Sequence, residues 1–417
     1  MSTAAPPPRA ANRALFVLTA INLLNYLDRY LVPPLVPDLK GAMALSDQEV
    51  GWLWPAFMLV YMVTAPAFGA WGDRGSRRRP IALGVLIWSL ATVLSGLARS
   101  YPQLLGARAL VGVGEAAYVA IAPALLADCF ALSARGRVYA VLNMAIPVGA
   151  ALGYVLGGLI GQHAGWRDAF FICGAPGALL AAAVLLIPDP PRGVQDRLAA
   201  ADIPPAAEGR GALAVYWSLL RRAPYMLVVL GYAAYTFGLG GLGFWMPAFL
   251  ERVRGVPPVA ATRDFGMVVV LTGIVGTLLG GWLGDYCLRR SRAGYLWFSA
   301  AVTLAAAPCA LMALIAPAPA QYYPAIVAAE LLLFMSTGPV NAAIANMVSP
   351  LERASAIALS MFIIHLLGDV PSPPLIGHLS DASSLGRAVL VVPVTIGIGG
   401  IVWLLSARSA ARPPLTA

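Results

Sequence analysis

The sequence predicts an all-α membrane protein with twelve transmembrane helices in two six-helix halves, and three observations predict it. Of 417 residues, 59% are hydrophobic and 11% are charged, whereas a soluble domain carries about 25% charged residues. So few charges cannot clothe a water-facing surface. Apolar stretches of about 20 residues recur along the whole chain, each long enough to cross roughly 30 Å of hydrocarbon at about 1.5 Å of rise per residue. The longest polar interval, 188–223, is rich in Pro, Arg, Asp and Ala and has six apolar stretches on either side, which marks it as a linker.

The helices fall near 14–36, 49–71, 80–98, 102–127, 137–161, 168–187, 224–249, 265–285, 294–315, 322–347, 354–377 and 386–406. The expected organisation is an N-terminal bundle over 1–187, a cytoplasmic linker over 188–223 and a C-terminal bundle over 224–417. Basic residues set the orientation. The N-terminus, the loops that follow even-numbered helices and the C-terminus carry 19 of the 28 Lys and Arg; the other loops carry seven, and Arg29 and Arg108 lie inside helices. Positive residues stay inside, so both termini and the linker are expected in the cytoplasm of a cell with an inner membrane. The stretch MSTAAPPPRAANR has no short apolar core ending in a cleavage site, and the first helix is expected to act as the targeting signal.

Composition also removes function classes. The net charge of +9 is spread in short clusters between apolar runs, which is not the continuous basic surface of a nucleic-acid binder. Cys129, Cys173, Cys287 and Cys309 are scattered singly, so they read as small apolar residues rather than a disulfide framework or metal site. His163, His365 and His378 lack a companion nucleophile or ligand motif, which argues against a membrane hydrolase. No Gly-rich phosphate loop is present, so no cofactor or nucleotide motor is expected and a gradient must supply the energy.

The loop after the second helix, GAWGDRGSRRR, resembles the cytoplasmic loop signature of the major facilitator superfamily, with Ser76 in place of its second Gly. Gly69, Asp73, Arg74, Arg77 and Arg78 are its gating-loop residues: Gly69 to let helices approach, Asp73 to accept hydrogen bonds at a helix terminus, and the arginines to hold the loop at anionic headgroups. GWLGDYCLRR repeats the punctuation after the eighth helix, with Gly281 and Asp285. Such a repeat belongs to transporters that rock two halves about a central site. The fifth helix carries Gly149, Gly153, Gly157 and Gly161 at a period of four, a smooth stripe for close helix packing or, alternatively, a sliding hinge between halves.

Ionisable groups within helices carry the functional signal, because each costs about 2.5–3.5 kcal/mol to insert and faces a partner or a cavity. They are Asp28, Arg29, Arg108, Glu115, Glu330, His365 and Asp369. Arg108 and Glu115 are two helical turns apart on one face, and the depths of Asp28 and Arg108 make a contact between them feasible. Asp28 and Arg29 point about 100° apart, so one can pair internally while the other faces substrate. His365 lies in a helix broken by Pro371, Pro373 and Pro374, a feature tolerated where backbone lines a cavity. A purely structural role for these groups, as ion pairs fixing the bundle, is the competing reading.

NYLDRY, RALVGVGEAAY, HLLGD and PLIGHLSD together resemble the spinster branch of the major facilitator superfamily, over most of the chain. The Ala-, Pro- and Arg-rich composition points to a bacterial member. The resemblance implies export of sphingosine-1-phosphate or lysophospholipids by animal members, proton linkage or conformational switching at the residues matching Asp28 and Glu115, and a substrate cavity beside the residue matching Arg29. The resulting expectation is a monomeric secondary transporter of an amphipathic anionic lipid, coupled to protons, with Asp28 and Glu115 for the proton and Arg29, Arg108 and His365 for substrate. Multidrug or organic-ion efflux and a substrate-sensing membrane receptor are the alternatives.

Overall fold

Prolines and capping residues decide where the helices start and stop. The computed structural model describes residues 6–195, 212–348 and 352–410. Within them, twelve spans are long and apolar enough to cross a membrane: Pro8–Met43, Asp47–Gly72, Arg78–Leu97, Tyr101–Cys129, Arg137–Ala164, Trp166–Val184, Ala223–Arg252, Pro258–Arg290, Gly294–Ile315, Pro319–Asn346, Ser355–Ala382 and Leu385–Ser409. The chain is a multi-pass all-α membrane protein, as its apolar windows predict. In the first span, helix Pro8–Arg29 gives way to a 3-10 turn at Pro33–Leu35 and a second helix, Val36–Met43, because Pro33 and Pro34 cannot donate to the preceding turn. The second span opens with a reciprocal cap. The Glu49 N–H donates to Ser46 Oγ at 3.1 Å and the Ser46 N–H donates to Glu49 Oε2 at 2.9 Å, which satisfies two otherwise orphaned donors. The fifth span ends at Gly165, whose φ of +97° suits Gly.

The eleventh span shows what its prolines do. Helix Arg353–Ile364 runs into a π-helical turn, His365–Asp369, and helix Ser372–Ala382 follows. The Val370 N–H reaches back five residues to the His365 carbonyl at 3.1 Å. The Ser372 hydroxyl donates to the Phe237 carbonyl at 2.7 Å and Trp245 Nε1 to the Pro373 carbonyl at 3.0 Å, tying the break to the seventh span.

The chain clusters into two compact units, one of residues 1–45, 52–205 and 257–266, the other of 46–51, 206–256 and 267–417. In the first unit the glycine stripe packs the fifth span on the first. A Cβ at Gly149 would lie 2.6 Å from the Leu23 carbonyl oxygen, one at Gly153 2.6 Å from that of Leu27, and one at Gly157 2.6 Å from Pro34. The stripe therefore serves backbone contact, the packing reading of the two. In the second unit, buried Asp47 accepts both arms of Arg252 at 2.8 and 2.9 Å and the Ser380 hydroxyl at 2.5 Å. Asp381 in turn accepts the N–H groups of Asp47 and Gln48, capping the start of the second span from the eleventh. All four cysteines are free; Cys129 and Cys173 are buried, and Cys287 and Cys309 half-buried.

Candidate functional site

Four of the ionisable residues singled out in the sequence meet inside the first unit. Asp28 and Arg29 close the first helix just before its proline break, and Arg108 and Glu115 project from the fourth span. Arg29 Nε donates to Glu115 Oε2 at 2.8 Å and its Nη2 lies 2.7 Å from the same oxygen. Glu115 is fully buried, while the Arg29 side chain keeps 12% of its surface. Three rings surround the guanidinium, with Cζ 5.0 Å from the Tyr26 centroid, 5.1 Å from Phe57 and 6.0 Å from Tyr61. Aromatic faces attract a cation while shedding its water.

The contact between Arg108 and Asp28 that their depths make feasible runs through the main chain: Arg108 Nη2 donates to the Asp28 carbonyl at 3.4 Å rather than to the carboxylate. Glu115, on the Arg108 face of the fourth span, pairs with Arg29. The carboxylate of Asp28 takes a hydrogen bond from the Thr92 hydroxyl at 3.2 Å. The reason is helical geometry: Arg29, about 100° round the helix from Asp28, is the residue that meets the Glu115 face. Both Asp28 and Arg108 are fully buried. Asp28 Oδ1, Arg108 Nε and Nη1, Glu115 Oε1 and both amide atoms of Asn25 have no hydrogen-bond partner among the described residues. Buried polar groups are nearly always satisfied, so such a concentration sets this cluster apart as the candidate site.

Tyr26, Phe57 and Tyr61 were not singled out by sequence reading, although Tyr26 is one turn from Arg29 in NYLDRY, and Phe57 and Tyr61 share a face of the second span. Thr92 carries no signal; it is one of three hydroxyls, with Ser89 and Ser95, in a mostly apolar helix. In the second unit, His365 Nδ1 stands 3.0 Å from both oxygens of Asp369 across the π-helical turn. Glu330 is 2% exposed.

The loop after the second span differs from expectation. A Cβ at Gly69 would meet nothing among the described residues within 4 Å, and the same holds at Gly281. The close approaches fall three residues later, at Gly72 against Ile121 (2.8 Å) and at Gly284 against Pro339 (2.7 Å). Arg77, expected to reach outward to headgroups, is buried against protein, with Nη1 2.5 Å from Asp128 Oδ2, Nε 3.1 Å from Asp189 Oδ1 and Nη2 2.5 Å from the Pro190 carbonyl. Arg78 likewise donates to the Leu185 and Ile187 carbonyls. Arg192 holds the carbonyls of Gly72 and Gly75, and the Ser76 hydroxyl donates to Asp189 at 2.8 Å. Ser76, a departure from the loop signature, is thus part of a clamp between the loop and the segment after the sixth span. The side chains of Asp73 and Arg74 lie outside the described residues.

Comparison with known proteins adds to the geometry. The Major Facilitator Superfamily profile matches residues 18–373. The chain is 32% identical over 429 residues to the sphingosine-1-phosphate transporter SPNS2 of Xenopus tropicalis, covering 96% of this chain and 82% of that protein. It is 36% identical over 389 residues to protein spinster homolog 1 of Bos taurus, covering 88% and 72%. The crystal structure of a bacterial homolog to the human lysosomal transporter Spinster, inward-facing and unoccupied, superposes with a TM-score of 0.87 at 24% identity, covering 98% of this chain and 100% of that one.

Proposed function

Because this chain belongs to the spinster-type transporters of the Major Facilitator Superfamily and is not an enzyme, we propose that it carries an amphipathic anionic lipid, of lysophospholipid or sphingosine-phosphate type, across a bacterial inner membrane by proton-coupled alternating access. The observation that carries the reading is the unequal use of the two arginines. Arg29 leans on one oxygen of Glu115, and Arg108 is fully buried with Nε and Nη1 unspent. An anionic headgroup supplies the acceptors that Arg108 lacks and competes with Glu115 for the fork of Arg29. The displaced Glu115, buried and unpaired, then takes a proton, as does Asp28, whose Oδ1 is unpartnered. Substrate and proton are linked because they share the same two guanidinium groups.

In this account the halves 1–187 and 224–417, joined by the linker 188–223, rock about the site in a monomer with both termini cytoplasmic. Gly69, Asp73, Arg74, Arg77 and Arg78 act in the loop that follows that movement, and His365 contributes to substrate binding from the second half. Efflux of organic cations fits less well. A cation reaching Glu115 has to expel Arg29 from three aromatic rings and a fully buried carboxylate, and it gains nothing from Arg108. The test is uptake of radiolabelled lysophospholipid into proteoliposomes with and without an imposed pH gradient. Gradient-stimulated uptake supports the reading; uptake of lipophilic cations with no response to lysophospholipid replaces it with efflux.

A further inference from the structure

A cavity in the first unit shares Tyr26 with the ring cage of Arg29, and no ionised group lines it. It measures about 130 Å³ and lies between the first, fourth and fifth spans, with Asn22, Tyr26, Tyr118 and Asn143 as its polar lining. Tyr26 belongs to both places, since its ring also faces the Arg29 guanidinium at 5.0 Å. Along the first helix, Tyr26 is about 4.5 Å and Asn22 about 10.5 Å from the level of Arg29, at about 1.5 Å per residue. The cavity therefore continues the charged site toward the N-terminal end of the first span.

Hydrogen-bonding capacity in this cavity is partly spent and partly open. Asn22 Nδ2 donates to the Leu142 carbonyl at 2.9 Å and the Tyr118 hydroxyl to the Leu18 carbonyl at 2.7 Å. These bonds orient both side chains and leave their oxygens as acceptors. The Tyr26 hydroxyl and the Asn143 carboxamide make no hydrogen bond to the described residues, and Asn143 is exposed. A carboxamide within a spanning helix is costly against lipid and stable against water or ligand. We infer that Asn22, Tyr26 and Asn143 form an uncharged subsite that takes the hydroxyl groups of a lipid headgroup whose anionic part sits on Arg29 and Arg108.

The chemistry favours hydroxyls over charged groups. Amides and phenols both donate and accept, as hydroxyls do, while an ammonium or second phosphate finds no counter-charge in the lining. Size agrees, since a cavity of about 150 Å³ admits a benzene-sized group and a glycerol unit is of that order. The inference rests on the anionic-lipid reading above and adds the part of the substrate that sets specificity.

Two phosphodiesters of equal charge and chain length separate the two claims: tetradecyl phosphoglycerol and tetradecyl propyl phosphate, which lacks the hydroxyls. Their affinities for the detergent-purified full chain are compared by intrinsic tryptophan fluorescence. The glycerol ester should bind roughly fivefold to tenfold more tightly, the worth of one or two net hydrogen bonds. Asn143→Leu should bring the ratio to about one, and Tyr26→Phe, which keeps the ring over Arg29, should lower it part of the way. Equal affinities in the unmodified protein, or an unchanged ratio in Asn143→Leu, overturn the subsite and leave the anionic-lipid reading standing. Binding of neither ester overturns that reading and the subsite with it.

Discussion

Arg29 and Arg77 both meet carboxylates, but their surroundings make one contact exchangeable and the other fixed. Every nitrogen of Arg77 is engaged, by Asp128, Asp189 and the Pro190 carbonyl, and only 4% of its side chain is exposed. Removing one partner of such a buried network leaves charge without compensation, at about 3–5 kcal/mol. Arg77→Ala should accordingly lower the apparent melting temperature in detergent by several degrees, and Ser76→Gly by much less, since it loses one neutral hydrogen bond donor to Asp189. A melting temperature unaffected by Arg77→Ala would contradict the clamp. Arg29, by contrast, holds one oxygen of one carboxylate and keeps 12% of its side-chain surface exposed. Arg29→Lys keeps the charge but loses the fork, and affinity for an anionic lipid should fall by about tenfold, roughly one charge-assisted hydrogen bond. Equal affinity in Arg29→Lys and Arg29→Ala to that of the unmodified protein, measured by the same fluorescence titration, would take Arg29 out of the site.

At the scale of helices, what the sequence made legible was periodicity, and what it hid was partners distant in the chain. Apolar windows locate all twelve spans, and the period of four at Gly149, Gly153, Gly157 and Gly161 identifies a contact face before its partner is known. The prolines of the eleventh span announce a break, but nothing in them distinguishes a π-helical turn at His365–Asp369 from a plain kink. Arg77 is hidden for a related reason. Four arginines within six residues look like headgroup contacts, and the carboxylates that bury Arg77 lie 51 and 112 residues further on. Likewise the ring cage of Arg29 comes mostly from Phe57 and Tyr61 of the second span, whose charges, Asp47 and Glu49, lie in its first turn and draw no attention to the rings. The glycines provide a test of this level. Gly153→Leu drives a side chain into the Leu27 carbonyl oxygen, 2.6 Å from the Cβ position, and should abolish the monodisperse peak on size-exclusion chromatography. Gly69→Ala meets open space among the described residues and should leave that peak unchanged. Broadening caused by Gly69→Ala, or its absence in Gly153→Leu, would reverse the assignment of which glycines are packed.

For the whole molecule, the account requires an orientation and a coupling. On the proposed orientation, drawn from the arginine distribution, the linker is cytoplasmic, so in a variant lacking the four native cysteines, Ala206→Cys should resist an impermeant thiol reagent in intact cells and react after lysis. Reaction in intact cells would invert the topology. The proposed coupling uses four side chains, and the sequence identifies all of them as intramembrane charges; spacing along a helix fixes a face but not which neighbour occupies it, so the Arg29–Glu115 pair becomes legible only in the structure. On the proposed reading, the headgroup that draws Arg29 away from Glu115 creates the unpaired carboxylate that needs the proton. The most direct test uses purified protein in liposomes, with lysophospholipid transport measured under an imposed pH gradient and, separately, as exchange without one. The unmodified protein should respond to the gradient, and the Asp28→Asn, Glu115→Gln double variant should lose that response while retaining exchange; gradient-driven transport at the unmodified level in the double variant would contradict the account.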